Sequence, residues 1–438
     1  MLKVFRAALV VTAAAWMLPL CGGKPAKYIF LLIADGTGCR MIDLHLRENP
    51  SSLFKMFKNR YKTEVIDATG IGGSAAACGT AISCGVQTKL CRMAQDVNGR
   101  PLKSLAYRLK EQDFKIGIIT DSVITDATIA PFFAIASRCH EPEKVISALC
   151  RSGFDFFAAG RLSEGNSLPA EKVTESLISA GYRIVPGKKL RTMNPGERNV
   201  LLSLSRATKR QPGTPALGDI TAGAAGLLSA DGKEFLLVVS AGSIDYFNHR
   251  NDAASALREM QNFESVIDAA LKFASRHPEE TLIVITSDHE SGELSITGKR
   301  ATGFHLKQKY TYLEMSDRLV SLNQHKHTDE RLIASALKMV HVKNVSDTEH
   351  RRLQIACRLF RAHRRLKRYG TYNPLVIEAM RLREERNGLK YSTFGYTAKH
   401  IVTVVYGSGE EHFRSLKKNS DIPGCIAAAA GFPDLMTR

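Results

Sequence analysis

Cysteine pairs of the CxxC type are missing from this sequence, because none of its nine cysteines stands three positions from another. That absence excludes the common cysteine-based zinc modules, so a bound metal would have to use Asp and His as ligands. Internal repeats and low-complexity segments are also missing. Residues 7–20 form an apolar stretch, but it is too short to cross a bilayer as a mature helix.

The composition that remains is that of a large globular protein. The 438 residues are 44% hydrophobic and 24% charged, enough to bury a large core in one α/β domain or in two to three smaller domains. Positive charge is in excess, with 61 Lys and Arg against 43 Asp and Glu and a formal net charge of +18.

The N-terminus has the pattern of an export signal. Lys3 and Arg6 precede the apolar residues 7–20, and small residues follow. We therefore expect residues 1–23 to be a signal peptide and the protein to be exported in a bacterium, either to the periplasm or as a membrane-anchored lipoprotein. Residues 18–23 suggest a lipoprotein cleavage site at Cys21, but Leu20 is larger than the residue usual there. Lipidation therefore stays open, as does the disulfide pairing of the other eight cysteines.

Apolar runs typical of buried strands alternate with helix-like segments. The runs are residues 28–33, 116–120, 154–159, 235–239, 281–286 and 401–405. The helical segments between them begin near Ser74 and cover about 142–151 and 253–276. This alternation predicts an α/β fold, a three-layer αβα sandwich with a central, mainly parallel sheet.

Residues 301–391 differ from this pattern and predict a basic helical insertion between the core segments 24–300 and 392–438. Extended apolar runs vanish there, and helix-like segments such as 350–368 and 374–386 take over. From residue 299 to residue 390 there are 21 Lys and Arg against 9 Asp and Glu, a surplus of +12 within the whole chain's +18.

The insertion has three open interpretations: a solvated basic face, a surface for anionic membrane lipids, or a lid or homodimer contact. Nucleic acid is not expected as a partner. The aromatic residues Phe360, Tyr369 and Tyr372 are not interleaved with basic residues as stacking platforms would be.

The predicted strands end on residues that bind metals. Asp35 follows the first run, Asp245 and His249 follow 235–239, and Asp288 and His289 follow 281–286. In an open parallel sheet these loops meet outside the carboxyl ends of the strands. The sequence therefore predicts a divalent-metal pocket at this edge of the sheet.

From about residue 27 to the C-terminus, excepting the insertion, the chain resembles the bacterial alkaline phosphatases. The matching segments are Asp35-Gly36, Asp126-Ala127-Thr128, Ser137-Arg138, Ser243-Ile244-Asp245 with His249, Ser287-Asp288-His289-Glu290 and Tyr406-Gly407-Ser408-Gly409. The resemblance implies a Ser nucleophile, two zinc ions, a magnesium ion and an Arg that binds phosphate. These parts place positive charge around a phosphate monoester dianion.

Roles for individual residues follow from the resemblance. The zinc that activates the serine would be held by Asp35, Asp288 and His289. The zinc at the leaving group would be held by Asp245 and His249. Thr128 and Asp35 would contact magnesium, and the planar guanidinium of Arg138 would grip the phosphate.

The chain departs from the family pattern at the nucleophile. The Asp of the usual Asp-Ser-Ala motif is Gly73 if Ser74 is the nucleophile, which is the register we favour. Counting back from Gly85 without a gap instead places the nucleophile position on Ala75, and a plain helix N-cap explains Ser74 as well.

Two metal ligands are also replaced. Ser240 stands where the family has a magnesium-binding Glu, and Tyr396 stands where it has a zinc-binding His. A neutral hydroxyl is a poor ligand for a hard cation, so we expect one or two zinc ions and a magnesium site that is weak or absent.

Three functions are compatible with these residues. The first is an exported metallohydrolase that cleaves phosphate monoesters through a Ser nucleophile and zinc. The second is a catalytically impaired pseudo-phosphatase that keeps the fold and one zinc and acts as a binding protein. The third is a related phosphomutase or phosphodiesterase, against which the matching strand segments and Arg138 argue.

Overall fold

A computed structural model describes residues 24–65, 67–70, 72–138, 141–162, 168–202, 215–297, 303, 307–364 and 366–437. The predicted signal peptide, with Cys21, lies outside the described residues, and so does Cys139. Across these ranges no helix is both long and apolar enough to span a membrane.

Thirteen strands occur in the described part of the chain. They are β1 Tyr28–Ile33, β2 Asn59–Thr63, β3 Lys115–Thr120, β4 Phe156–Ala159, β5 Arg183–Pro186, β6 Asn199–Leu202, β7 Phe235–Ser240, β8 Thr281–Thr286, β9 Glu290–Ser291, β10 Leu294–Ile296, β11 Leu389–Tyr391, β12 Tyr396–Thr397 and β13 Ile401–Gly407. Nine of them form one sheet in the order β2-β13-β8-β1-β7-β3-β4-β6-β5. Only β13 pairs antiparallel, with β2 and β8, so the sheet is mainly parallel as predicted.

The helices lie on both faces of this sheet or in the insertion. They are α1 Cys39–Glu48, α2 Ala75–Cys84, α3 Leu105–Lys110, α4 Pro142–Ser152, α5 Ala170–Ser179, α6 Leu217–Leu228, α7 Gly242–Asn248, α8 Ala253–Ala274, α9 Tyr312–Gln324, α10 Asp329–Met339, α11 Asp347–Arg361, α12 Pro374–Arg386 and α13 Ile422–Ala429.

Strand β1 shows why the sheet carries helices on both faces. Its six residues are all buried, and side chains of a strand point alternately to the two faces. Ile29 and Leu31 belong to a core shared with α2, α3 and α4. Phe30 and Leu32 belong to a second core shared with α1, α6 and α8. The predicted three-layer αβα sandwich is therefore confirmed.

Local hydrogen bonds shift some predicted boundaries. Strand β4 begins at Phe156 rather than at residue 154. Asp155 lies in the turn before the strand, where its carboxylate accepts the Ile116 N–H at 2.8 Å. Helix α11 begins at Asp347 rather than at 350, since Ser346 and Glu349 form a capping box. It ends at Arg361, well before the predicted 368.

The inserted helices form a subdomain with a core of their own. Residues from α9 to α12 supply that core, which includes Leu319, Leu332, Leu353 and Leu375. Strands β10 and β11 pair antiparallel and bring the two ends of the insertion together. The inserted helices are thus joined to the sandwich through a short two-stranded base.

A buried carboxylate binds three arginines inside the insertion. Glu378 is fully buried and accepts hydrogen bonds from Arg352 at 2.6 Å and from Arg368 and Arg381 at 3.1 Å each. The Tyr369 hydroxyl donates to it at 2.9 Å. Part of the insertion's positive charge is therefore neutralised internally and stabilises its helix packing.

Thiols are mostly unpaired in the described chain. Cys91 is disulfide-bonded. The free cysteines among the described residues are Cys39, Cys78, Cys84, Cys150, Cys357 and Cys425. The even cysteine count therefore does not correspond to a general disulfide framework.

We predict that Glu378→Gln lowers the free energy of unfolding of the insertion by about 3 kcal/mol, because it leaves three guanidinium groups without their shared buried carboxylate. Urea unfolding combined with amide hydrogen exchange of residues 312–386 would measure this. The matched control is Glu385→Gln. The Glu385 carboxylate contacts the same Arg352, but its side chain is 42% exposed. We expect that control to cost less than about 1 kcal/mol. Equal losses in the two variants would contradict the prediction.

Candidate active site

The strand order brings the predicted metal ligands to one edge of the sheet. β1 lies between β7 and β8, and Ile33 is in register with Ser240 on one side and Thr286 on the other. All three strands are parallel, so the residues that follow them leave the sheet at the same end. Asp35 and Asp288 are thereby placed side by side.

Asp35, Asp288 and His289 form a compact, buried cluster. One potential ligand atom from each lies within 4.8 Å of the other two. The His289 Nε2 atom is 3.0 Å from Asp288 Oδ2 and 3.8 Å from Asp35 Oδ1. Asp35 Oδ1 and His289 Nε2 are both buried without a hydrogen-bond partner. Buried polar atoms are normally satisfied, so a cation bound between these atoms fits the geometry.

Neighbouring groups orient the two carboxylates of this cluster. Asp288 accepts the Gly36 N–H at 3.2 Å and the Thr128 hydroxyl at 2.9 Å, one on each oxygen. Asp35 accepts the Ser240 hydroxyl at 3.2 Å. Metal-binding carboxylates are commonly held by such outer hydrogen bonds. Thr128 and Ser240 therefore contact the cluster through hydrogen bonds to its carboxylates.

The buried carboxylates of the cluster raise the pKa of neighbouring groups. Burial, Asp288 and Asp245 raise the pKa of Asp35 well above its usual range. Burial alone would lower the pKa of His289, but Asp288 outweighs it and raises that pKa to about 9. A protonated His289 thus supplies the positive charge at neutral pH. A zinc ion takes neutral imidazole, so its binding would release this proton.

Asp126 is a member of the site that the residue predictions omitted. It lines the cavity, and burial raises its pKa to about 6. One oxygen accepts the Thr128 N–H at 2.9 Å. Its position in the Asp126-Ala127-Thr128 segment was the signal that could have identified it.

The second predicted ligand pair, Asp245 and His249, lies beside the first cluster. The His249 Nδ1 atom is 2.5 Å from the Phe394 carbonyl oxygen, which only accepts hydrogen bonds. Nδ1 must therefore carry the proton, which leaves Nε2 free to bind a metal. Nε2 is 3.4 Å from Asp245 Oδ2, and the Ser291 hydroxyl donates to Asp245 Oδ1 at 2.6 Å.

Tyr396 occupies the edge of this second pair. Strand β12 pairs with β9, which sets Tyr396 opposite Ser291. The Tyr396 ring centroid lies 4.8 Å from that of His249 and 4.6 Å from that of His289. Burial and Asp245 raise the pKa of the Tyr396 hydroxyl, so it stays neutral. Within the described chain, Asp35, Asp288 and His289 are the one group of three Asp, Glu, His or Cys close enough to share a metal.

Ser74 caps helix α2 at the floor of the cavity. Its hydroxyl oxygen accepts the N–H groups of Ala77 at 3.4 Å and Cys91 at 3.1 Å. The helix is regular from Ala75 to Cys84 and contains no bulge. The one-residue difference between Ser74 and Ala75 as the nucleophile position is therefore not explained by an inserted residue within the helix. Ser74 and Ala75 both line the cavity, and the two registers both remain open.

The space beside the Gly73 backbone is filled by a neighbouring side chain. A Cβ atom built at Gly73 would lie 2.0 Å from the sulfur of Cys78. The thiol of Cys78 therefore occupies the space of a side chain at position 73. An Asp at this position would require a smaller residue at 78.

Arg138 does not join the cavity. It is exposed, its N–H donates to the Glu141 carboxylate at 3.2 Å, and it is not among the cavity-lining residues of the described chain. Its role in phosphate binding stays a prediction. Two other arginines, Arg161 and Arg250, line the cavity instead, and the sequence motifs did not identify them.

The cavity itself has a volume of about 880 Å³, which is larger than a phosphate group requires. Ser74, Asp245 and His249 of the predicted site are among its lining residues. Tyr246 and Tyr372 form part of its wall, and Tyr372 belongs to the insertion. A substrate's organic portion could therefore contact the insertion as well as the sandwich.

Comparison with known proteins identifies the family of this arrangement. A sequence model described as "Alkaline phosphatase" matches residues 26–154 and 197–431, well over half of the chain. Alkaline phosphatase 4 of Bacillus subtilis is 25% identical over 360 residues, which cover 79% of this chain and 74% of that protein.

Solved structures show the same fold. A cold-active alkaline phosphatase from a psychrophilic Shewanella superposes with a TM-score of 0.76 at 20% identity, covering 92% of this chain and 99% of that one. The alkaline phosphatase of Thermus thermophilus gives a TM-score of 0.76 at 20% identity, covering 94% of this chain and 93% of that one. At such identities the likeness concerns the fold.

We predict that Tyr396→His raises the zinc content of the purified protein from one ion to two per chain, because an imidazole would complete the Asp245 and His249 pair. Mass spectrometry of metals after dialysis against limiting zinc would measure the ratio. The matched control is Tyr396→Phe, which removes the hydroxyl without adding a ligand and should stay at one ion. An unchanged ratio in the His variant would show that Tyr396 is not at the ligand position.

Proposed function

The chain belongs to the alkaline phosphatase family, and from that premise we propose that it is an exported hydrolase of phosphate monoesters that uses zinc and a serine nucleophile. Family membership supports a phosphatase with bound metal. The observation that carries the finer proposal is the buried Asp35, Asp288 and His289 cluster, whose unpaired atoms face one another at the carboxyl edge of the sheet.

Each residue of the cluster has a part in this chemistry. Asp35, Asp288 and His289 would hold zinc, which supplies positive charge to the phosphoryl oxygens when bound. Ser74 lies at the N-terminus of α2, where free N–H groups and the helix dipole favour an attacking oxygen anion and the phosphate. In this proposal the leaving group departs on the side of Asp245 and His249.

The second candidate function is a pseudo-phosphatase that binds ligands without turnover. The Ser74 hydroxyl already accepts two backbone hydrogen bonds, and Tyr396 stands in place of a ligand. Ser240 contributes a neutral hydroxyl to Asp35. Together these features favour a protein that keeps one metal ion and has a reduced turnover number or no activity.

The two functions separate in one assay. We expect the purified protein to hydrolyse p-nitrophenyl phosphate when zinc is present, with activity removed by a chelator and restored by zinc. Ser74→Ala should lower kcat at least about 1,000-fold with unchanged zinc content, since the nucleophile is lost while the metal ligands remain.

Ala75→Ser is the matched variant for the alternative register. If Ser74 is the nucleophile, Ala75→Ser should not raise activity. A wild type with bound zinc but no turnover, combined with activity gained in Ala75→Ser, would establish the pseudo-phosphatase. Full activity in Ser74→Ala would exclude Ser74 as the nucleophile.

We also propose that the insertion contacts an anionic membrane surface. Helix α11 exposes Arg351, Ile355 and Arg358 along one face, and Leu366 and Lys367 are exposed just beyond it. Exposed apolar side chains among cations are the pattern of interfacial binding, because the apolar groups enter the lipid while the cations meet its headgroups. Export itself is proposed from residues 3–20 and is tested by cell fractionation.

Vesicle binding tests the membrane proposal. We expect sedimentation with vesicles containing about a third anionic lipid, weaker binding at high salt, and a loss of at least tenfold in Arg351→Glu/Arg358→Glu. The matched control, Lys338→Glu/Lys343→Glu, makes the same charge change elsewhere in the insertion and should retain most binding. Equal losses would indicate a diffuse charge effect and not this face.

A further inference from the structure

Arg250 stands apart from the other site residues because its charge has no carboxylate partner. It follows His249 directly and lines the cavity on the side of the Asp245 and His249 pair. No ion pair to Arg250 occurs within the described residues, whereas Arg352 and Arg383 each pair with acidic side chains. An unpaired guanidinium beside a cavity can bind an anion.

Aromatic rings hold this guanidinium in place. Its Cζ atom lies 3.3 Å from the Tyr246 ring centroid and 5.3 Å from that of Tyr372. The ring of Tyr312 lies further away, at 5.9 Å. Stacking of this kind fixes the orientation of an arginine fork without using its N–H groups.

The N–H groups of Arg250 are only partly used. Nη1 donates to the Tyr246 carbonyl at 2.6 Å, and Nε is buried without a partner. No hydrogen bond of Nη2 to the described residues accompanies these contacts. A cation that is partly desolvated and incompletely bonded gains strongly from an anionic partner.

The position of Arg250 defines which part of a substrate it could meet. If the phosphoryl group binds at the metal ligands, as the proposed function holds, the organic portion leaves past Asp245 and His249 toward Tyr246, Arg250 and Tyr372. Tyr372 comes from the insertion, so this part of the wall combines the sandwich with the subdomain. The cavity of about 880 Å³ has room for an organic group there.

We propose that Arg250, held by Tyr246 and Tyr372, binds a second anionic group on the organic portion of the substrate. The substrates preferred by this chain are then phosphate monoesters that carry a carboxylate or a further phosphate. This inference rests on the proposed function for the placement of the phosphoryl group. Arg250 acts in binding and specificity and has no part in the chemical step.

Non-hydrolysable ligands test this binding site without requiring turnover. The three probes are benzylphosphonate, 4-carboxybenzylphosphonate and p-xylylenediphosphonate, which share one ring and differ in the second group. Calorimetry with the zinc-loaded full chain should give tighter binding of the two doubly anionic probes, by roughly tenfold over benzylphosphonate. The carboxylate and phosphonate arms show which anion is preferred.

Variants of Arg250 identify the origin of that preference. Arg250→Gln should reduce the ratio of the Kd for benzylphosphonate to the Kd for each doubly anionic probe to about one. Its Kd for benzylphosphonate should stay within about twofold of wild type. Arg250→Lys keeps the charge without the fork and should retain part of the preference. The matched control is Arg276→Gln, an exposed arginine that stacks on Phe273 and does not line the cavity, which should leave the ratio unchanged.

The outcomes separate this inference from the proposed function. Equal binding of all three probes to wild type, or a preference that survives in Arg250→Gln, overturns the Arg250 site alone. Equal weakening of all three probes in Arg250→Gln also overturns it, because a purely structural role does not discriminate between them. Failure of every probe to bind the zinc-loaded wild type overturns the proposed function together with the site.

Discussion

Parallel pairing of β1 with β7 and β8 is the constraint on which the rest of the site depends. Every residue of these three strands is buried, so apolar burial on two faces holds the ladder. The register of this pairing fixes the positions at which the chain leaves the three strands. A shift of one residue would turn each side chain to the opposite face and separate Asp35 from Asp288.

The electrostatic consequence is an acidic pocket inside a basic protein. Buried carboxylates raise the pKa of Asp35 and bring that of His289 to about 9, so a proton supplies the missing positive charge. Burying such charges is unfavourable unless they are paired. A divalent cation bound here would relieve this cost more completely than one proton, and its binding would then stabilise the sheet edge.

The departures from the family pattern all remove charge or ligands in one region. Cys78 occupies the space beside Gly73, Ser240 gives Asp35 a neutral hydroxyl, and Tyr396 places a neutral ring against His249. Asp35, Asp288 and His289 nevertheless lie together in one buried cluster. Arg250 adds a positive charge to the wall of the cavity.

The sequence by itself determined the layers of the fold and the chemistry of the cluster. Fully apolar runs are typical of strands buried on both faces, and metal-binding residues directly after them belong at one edge of the sheet. These features depend on residues that are close together in the sequence, so hydrophobic periodicity and residue spacing are enough to predict them.

Only the tertiary structure decided which residues share the cavity. Cys78 fills the space at Gly73 because helix α2 turns that thiol back toward its own N-terminus. Arg138 is exposed, and its backbone N–H donates to Glu141. Arg250 meets Tyr372 across more than a hundred residues of sequence. Contacts of this kind depend on how distant segments of the chain pack together, and short sequence motifs do not predict that packing.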